Sequence, residues 1–436
     1  MSEKKKNLTL SAAPPIKLEK KIKILTLGDM PLSPSGVGIQ TKYTIESLLR
    51  TGKYKFFTLG GAISHRDYKM IKTEEFEDDW LILPVDNFGS PDIIRTIIRT
   101  EKPDILWFMT DPRFYTWLWN MEDEIRPLVP MVYYHVWDNY PHPQFNKTYY
   151  DSTDVIVSIS KVTYDIVNNV SPSVESHYLP HTVETDIFKK LDDVEIKRLK
   201  KQQLGPDADK FIFFWNNRNA RRKHSGTLIF WFKEFLDEVG RDKAMLLMHT
   251  EPKDPNGPNL EVILHNLGLV NGEVKFSQKK VPPEELAKMY NIVDCTINIA
   301  DAEGFGLGTL ESLSCETPII VTMTGGLQDQ VTDGKNWFGA GLTPPSKMLV
   351  GSQDVPYIYE DRISKEDFIE ALKKIYFMPK KELAKVGAAG RAHVVKKYNF
   401  DSFGERWDKV LSSVHEKYGS WETREHYNSW IFKEVA

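Results

Sequence analysis

The chain has 436 residues, 41% of them apolar and 27% charged, with 57 Lys+Arg against 61 Asp+Glu and a formal net charge of −4. At about 100–200 residues per domain that length favours two domains, and the near-balance of charge excludes a globally basic nucleic-acid binder while leaving room for a local basic patch. Cys295 and Cys315 are too few for a disulfide framework or a four-cysteine metal site, and no apolar run reaches the 18 residues of a membrane span. The unusual figure is the aromatic share, 12%, with 11 Trp and 18 Tyr.

In chain order, residues 1–19 are rich in lysine, carry Pro14 and Pro15, and read as a solvated tail. The apolar run that follows is too short for a signal-peptide core, so the expected location is cytoplasmic. From 20 to 195, short apolar runs at 22–27, 54–59, 104–109, 131–136 and 154–159 alternate with helical patterns at 37–49 and 91–100. That alternation predicts an α/β, Rossmann-like domain with a parallel sheet. The loop after the first strand ends in Gly36, Val37 and Gly38 and opens a helix, where close backbone approach and free N–H groups suit a phosphate. It is not a dinucleotide fingerprint, because Thr41 stands where the third glycine belongs. After the strand at 131–136 come Trp137, Asp138 and Tyr140, whose position after a strand turns the two rings toward a cleft, where they can stack on a sugar face or a nucleobase. The stripe Phe114, Tyr115, Trp117 and Trp119 reads instead as core.

A charged, helix-like stretch at 191–203 and the turn Gly205, Pro206, Asp207 separate this domain from a second, 196–400, with strand runs at 211–215, 244–249, 274–277, 295–299 and 318–321. Two doubly wound domains of this kind place ligands outside the carboxyl ends of their strands. The strand at 211–215 runs into a basic cluster in which Arg218 offers a two-oxygen clamp and Lys223 a point charge, together suited to a diphosphate. Asp207 and Asp209 form an Asp-x-Asp pair that reads as turn chemistry, and no metal site is expected. The strand at 295–299 leads to Glu303, Gly304, Phe305, Gly306, Leu307 and Gly308, then to Glu311 on a helix. Two carboxylates eight residues apart can each accept hydroxyl hydrogen bonds from a separate polyol unit, and the glycine-rich link exposes N–H groups to phosphate. The same pattern also describes a helix N-terminus decorated with acids, which its dipole favours. Residues 401–436 are helical in pattern and rich in Trp and Tyr.

Glu303 and Glu311 with the intervening glycines, Thr317-Pro318, the Gly325-Gly326 pair, the segment 179–188 and the late helix around Ala389, Gly390 and Arg391 together resemble the retaining glycosyltransferases of family 4, across roughly 22–415. The resemblance implies a GT-B architecture, with two Rossmann-like domains facing a cleft and C-terminal helices (401–436) crossing back to the first. It implies that Arg218 and Lys223 neutralise the donor diphosphate, Glu303 meets the transferred sugar and Glu311 the ribose. The amides of Phe305, Gly306 and Leu307 would lie along the sugar and phosphates. Gly36, Val37 and Gly38 would touch the diphosphate from the other side, His135 would meet the donor sugar from a strand end, and Trp137, Asp138 and Tyr140 would bind the acceptor. His181, Thr182, Asp301 and Glu316 depart from the family pattern, and 337–364 looks like an insertion without a role.

The expected activity is transfer of a sugar, with retention, from a UDP-, GDP- or ADP-sugar to a hydroxyl of a carbohydrate, lipid-linked or small polyol acceptor, with no cofactor beyond the donor. The alternatives are transfer to a hydroxylated DNA base, a nucleotide-sugar epimerase on the same fold, and a non-catalytic nucleotide-sugar binder.

Overall fold

A computed structural model describes residues 20–428; the 1–19 tail and residues 429–436 of the C-terminal segment lie outside the described residues. Two sheets organise the chain. The first holds β1 (Ile22–Asp29), β2 (Tyr54–Gly61), β3 (Ile71–Lys72), β4 (Trp80–Pro84), β5 (Ile105–Thr110), β6 (Met131–His135), β7 (Val155–Ser158) and β8 (Glu175–Tyr178), in the order β3-β4-β2-β1-β5-β6-β7-β8. All its pairings are parallel except β3 with β4. The second holds β9 (Phe211–Asn216), β10 (Ala244–His249), β11 (Val274–Ser277), β12 (Cys295–Asn298), β13 (Ile319–Thr322) and β14 (Gly339–Leu342), all parallel, in the order β11-β10-β9-β12-β13-β14. A separate antiparallel hairpin pairs β15 (Ser346–Val350) with β16 (Ile358–Arg362).

The central strands are covered by helices on both faces, so they read as continuous apolar runs. Ile24, Leu25 and Leu27 of β1 and Ile212, Phe213, Phe214 and Trp215 of β9 are fully buried. The sequence reading lacks β3, β4, β8, β14, β15 and β16: β3 has only two residues, β8 is the polar edge Glu-Ser-His-Tyr and β14 is Gly-Ala-Gly-Leu, whereas β4, Trp-Leu-Ile-Leu-Pro, is an apolar run that the reading passed over. The segment 337–364, expected as an insertion, has two parts. Its first part is an edge strand of the second sheet, and the rest is the β15–β16 hairpin.

Strand order reverses between β1 and β5 in the first sheet and between β9 and β12 in the second. The crevices at these two switch points are where an open α/β sheet receives a ligand. The helix Asp193–Leu204 packs on Pro283–Ile292 of the second sheet's layer, and Lys380–Lys397 packs on Leu307–Ser314. The helix Phe400–Tyr418 then returns to lie on Gly36–Leu49 of the first domain. Its Trp407 is fully buried, edge-on to Trp107 at 5.8 Å and to Tyr134 at 4.9 Å. Much of the aromatic content is spent on such packing.

Candidate functional site

The two crevices open into one cavity of about 770 Å³. The loops after β1, β5 and β6 supply Asp29, Ser35, Gly36, Val37, Asp111, Arg113, Trp137 and Asp138; those after β9 and β12 supply Arg218, Arg221, Arg222, Lys223, Glu303, Phe305, Gly306 and Leu307. Two helices begin at this cavity and their first residues lie close together, since a Cβ placed on Gly36 would stand 3.4 Å from the Leu307 side chain. The first, Gly36–Leu49, is capped by Ser35, whose hydroxyl accepts from the Gly38 N–H at 2.9 Å and donates to Asp29 at 2.6 Å. The second, Leu307–Ser314, has Gly306 at its cap and no side chain on its free N–H groups. Gly306 has φ of 89°, and a side chain there would strike Leu327 and Thr309, so the turn that presents these amides needs glycine. Neighbouring helix N-termini concentrate positive potential and unpaired donors on the cavity they border.

The basic cluster follows β9 as a tight turn, Arg221–Lys223, and reaches that space from the side. The Lys223 ammonium rests against the Glu303 carboxylate, with the two side chains only 9% and 12% exposed. Asn298 Nδ2 donates to the same carboxylate oxygen at 3.3 Å, and the Arg222 guanidinium lies 4.0 Å from it. Burial, reinforced by the Arg222 charge, pushes the Lys223 ammonium well below its ordinary value, while Asp138 pulls the other way. Arg218 stands at the rim, exposed, its guanidinium held by Asp254 at 2.7 Å. Burial raises the Asp138 and Asp29 carboxyls, partly offset at Asp138 by Arg222 and Lys223 and at Asp29 by the Ser35 hydroxyl.

Glu311 lies beyond the cavity lining, one turn further along its helix. It accepts from the Tyr290 hydroxyl at 2.8 Å, and that hydroxyl accepts from Asn216 Nδ2 at 2.8 Å. Burial pushes the Glu311 carboxyl up to about 7 against the pull of the Tyr290 hydroxyl. Neither Tyr290 nor Asn216 was singled out by sequence, although Asn216 ends a strand at the switch point.

Four sequence expectations need correction. His135 is fully buried and does not line the cavity. Its Nδ1 meets the Tyr133 hydroxyl at 2.8 Å and its Nε2 the Tyr150 hydroxyl at 2.7 Å. Tyr133 donates its own proton to the Thr110 carbonyl at 2.8 Å, so Nδ1 is the donor and Nε2 the acceptor. Burial drives the ring down to about 3, and it stays neutral. The histidine that does line the cavity is His181, at the seam after β8, edge-on to Phe305 at 5.0 Å and bonded through Nδ1 to Tyr134 at 2.8 Å. Its signal in the sequence was its departure from the family pattern. Gly38 also lies off the cavity; a Cβ there would stand 2.7 Å from the Met30 carbonyl, so this glycine serves loop packing.

Trp137 borders the cavity but is 5% exposed, with its indole N–H donated to the Asn139 carbonyl at 2.8 Å, so it offers no open stacking face. Tyr140 lines a separate hollow of about 360 Å³ with Lys347 and Tyr359, its hydroxyl donated to Asp165 at 2.8 Å. Asp138 borders both spaces. Asp207 is engaged by Lys210 at 2.8 Å and Lys275 at 2.6 Å, away from the cavity. Among the described residues no group of three His, Cys, Asp or Glu side chains is placed to hold a metal ion, and no helix is long and apolar enough to cross a membrane.

Comparison with known proteins bears on this geometry. Residues 196–375, which carry the basic cluster, Glu303 and Glu311, match the family described as glycosyl transferases group 1. A D-inositol 3-phosphate glycosyltransferase of Corynebacterium jeikeium is 27% identical over 43% of this chain and 45% of its own length. A GDP-mannose-dependent alpha-(1-6)-phosphatidylinositol monomannoside mannosyltransferase of Mycolicibacterium smegmatis is 25% identical over 61% and 64%. The chain thus spans less than half the length of the first of these relatives and less than two thirds of the second. Among solved structures, the sucrose-phosphate synthase of Thermosynechococcus elongatus superposes over 91% of this chain and 100% of its own with TM-score 0.72 at 15% identity. HepE of Anabaena, solved with UDP-glucose, superposes over 90% and 99% with TM-score 0.66 at 16% identity. At such identities the likeness is one of fold: the architecture is GT-B, two Rossmann-like domains around a cleft.

Proposed function

We propose that the protein is a retaining glycosyltransferase of the family 4 kind, moving a sugar from a nucleoside diphosphate sugar to an acceptor hydroxyl. The observation that carries this reading is the convergence of two helix N-termini, at Gly36 and Leu307, with the buried Lys223 at the wall of one cavity. A diphosphate leaving group develops negative charge as its bond to the sugar breaks. Stabilisation is then largest where donors are already fixed and water is excluded. Lys223 and the Leu307 and Gly308 amides are such donors, and Arg218 and Arg222 add charge at the rim.

In the free protein Lys223 and Glu303 hold one another. Donor phosphates would draw Lys223 away and free the Glu303 carboxylate to accept from hydroxyls of the transferred sugar. As the sugar–oxygen bond breaks on an oxocarbenium-like path, the departing phosphate oxygen takes the proton of the acceptor hydroxyl. The new bond then forms on the same face, which retains configuration and needs no side-chain nucleophile. By the family resemblance Glu311 would meet the ribose hydroxyls, giving up its bond from Tyr290 to do so. The acceptor wall carries Asp29, Asp111 and Asp138, and a polynucleotide would bring its phosphates against these acids; a hydroxylated carbohydrate or polyol fits them better.

The test is release of nucleoside diphosphate from UDP-, GDP- and ADP-sugars with and without hydroxylated acceptors, with NMR assignment of the product's anomeric configuration. Donor-dependent release with retention supports the reading. Inversion, an epimerised donor without transfer, or binding without turnover on every donor overturns it.

A further inference from the structure

The hairpin β15–β16 springs from the second domain after β14 yet fastens onto the first. At its root, the Asp361 N–H donates to the Asp301 carbonyl at 3.0 Å, and Glu360, 3% exposed, is clamped by Arg221 and by Arg362 at 2.7 Å. In its middle, the Tyr359 N–H donates to the Tyr140 carbonyl, and Asn139 Nδ2 returns a bond to the Tyr359 carbonyl at 2.9 Å. At its tip, Val355 is 7% exposed within the first domain's core, and Tyr357 meets Phe145 edge-on at 5.2 Å. The middle and tip of the hairpin tie it to the first domain across the cleft, while its root is fixed within the second. Val350, Gly351, Ser352 and Ile358 face the main cavity beside Trp137 and Asp138.

We infer that this hairpin is the acceptor-selecting wall of the cleft, admitting a compact, uncharged polyol and keeping water from the donor; the inference rests on the glycosyltransferase reading above. The diphosphate end is marked by the two helix starts and Lys223, so the end bounded by the hairpin and the loop after β6 is left for the acceptor. That space is small. A cavity of about 770 Å³ falls within the usual range for small-molecule sites, and the nucleotide sugar and its acceptor must share it. Direct hydrogen bonds between β16 and residues 139 and 140 leave no channel between them for a polymer. The wall does not favour an anion, because Arg113 is committed to Asp111 through two bonds of 2.9 Å and Arg221 to Glu360, while Asp138 adds a carboxylate.

The experiment uses two variants that release the wall differently: replacement of residues 351–357 by Gly-Gly, and the double substitution Val355→Ser with Tyr357→Ala. Leu349→Ser, on the 60%-exposed outer face, is the control. UDP and GDP affinities are measured by calorimetry, and hydrolysis of UDP-glucose and GDP-mannose is followed without acceptor. Transfer is compared among glucose, mannose, myo-inositol, glucose 6-phosphate and maltoheptaose. The inference expects nucleotide affinity within about twofold of wild type and hydrolysis raised at least about fivefold as water gains entry. It also expects kcat/KM for the favoured small neutral acceptor to fall at least about tenfold, with discrimination against the phosphorylated and long acceptors reduced. Unchanged hydrolysis and unchanged acceptor discrimination in both variants overturn it, as does a parallel loss of nucleotide affinity. A wild-type protein that neither binds these nucleotides nor hydrolyses any donor overturns the glycosyltransferase reading itself, whatever the hairpin variants do.

Discussion

The Lys223 ammonium and the Glu303 carboxylate, brought from the loops after β9 and β12, rest against each other at the wall of the cleft between the two domains. Each gives the other a partner that burial would otherwise deny it, which is the condition for keeping so polar a pair in this place. In the proposed reaction the same two groups part, one to phosphate and one to sugar. Replacing Lys223 by Ala is expected to cut turnover by about 10²–10³-fold, the scale seen for loss of one preorganised donor. Lys223→Arg should recover only part of this, because a guanidinium does not fit the ammonium's pocket. Circular dichroism melts separate this from unfolding. A Lys223→Ala protein that keeps wild-type turnover would remove Lys223 from the chemistry.

The two histidines make an internal contrast. His135→Phe leaves the hydroxyls of Tyr133 and Tyr150 short of a partner inside the core, at about 1–3 kcal/mol of stability, and should leave turnover of the folded enzyme close to wild type. His181→Phe alters the cavity lining and should show first in the donor KM. Urea titrations and steady-state kinetics on both variants decide it. A His135 variant of normal stability and lost turnover would reverse the assignment.

Glu311 predicts a pH signature. Its carboxyl is raised to about 7 in the folded protein from an ordinary 4.5. A raised group binds its proton more tightly when folded, so its share of stability is complete below pH 4.5 and is lost as pH rises through 7. The shift of about 2.5 units sets an upper bound near 3 kcal/mol, reduced by the partial solvent contact of the side chain. Unfolding free energies at pH 5 and pH 8 should therefore differ less in Glu311→Gln than in wild type, with the variant gaining at pH 8. Identical pH slopes in the two proteins would contradict the assignment.

Gly306→Ala should be costly out of proportion to one methyl. Its φ of 89° is unfavourable for a side chain, and the new Cβ would stand 2.5 Å from Leu327 Cδ2. A destabilisation of about 1–3 kcal/mol is expected. Because the same turn aims the Leu307 and Gly308 amides, calorimetry should show weaker UDP or GDP binding even where the variant is folded. Unaltered nucleotide affinity would mean that the helix start does not hold the phosphates.

Much of the architecture was legible because parallel strands covered on both faces are largely apolar, as in β5 and β9. Part of what was hidden followed from the same rule: β8 is polar because it is an edge, and β14 carries two glycines in four residues. In the site, residues on loops directly after switch-point strands, such as Lys223 and Glu303, could be picked out because sheet topology sends those loops to the cleft. His135 misled for a related reason. It ends a strand, but the pleat turns its ring toward Tyr133 and Tyr150, and a one-residue difference in facing cannot be read from the letters alone. Trp137 looked like a platform, whereas its own indole N–H folds it onto Asn139. The hairpin was invisible because its partners, Tyr140, Asn139 and Asp301, are far from it in sequence.

The most direct measurement is nucleoside diphosphate release from a panel of UDP-, GDP- and ADP-sugars, comparing wild type with Lys223→Ala and Glu303→Ala at matched folded concentration. The account predicts release from one donor class by the wild type and a loss of about 10²-fold or more in each variant. Equal release by all three proteins, or none by the wild type with any donor, would contradict it.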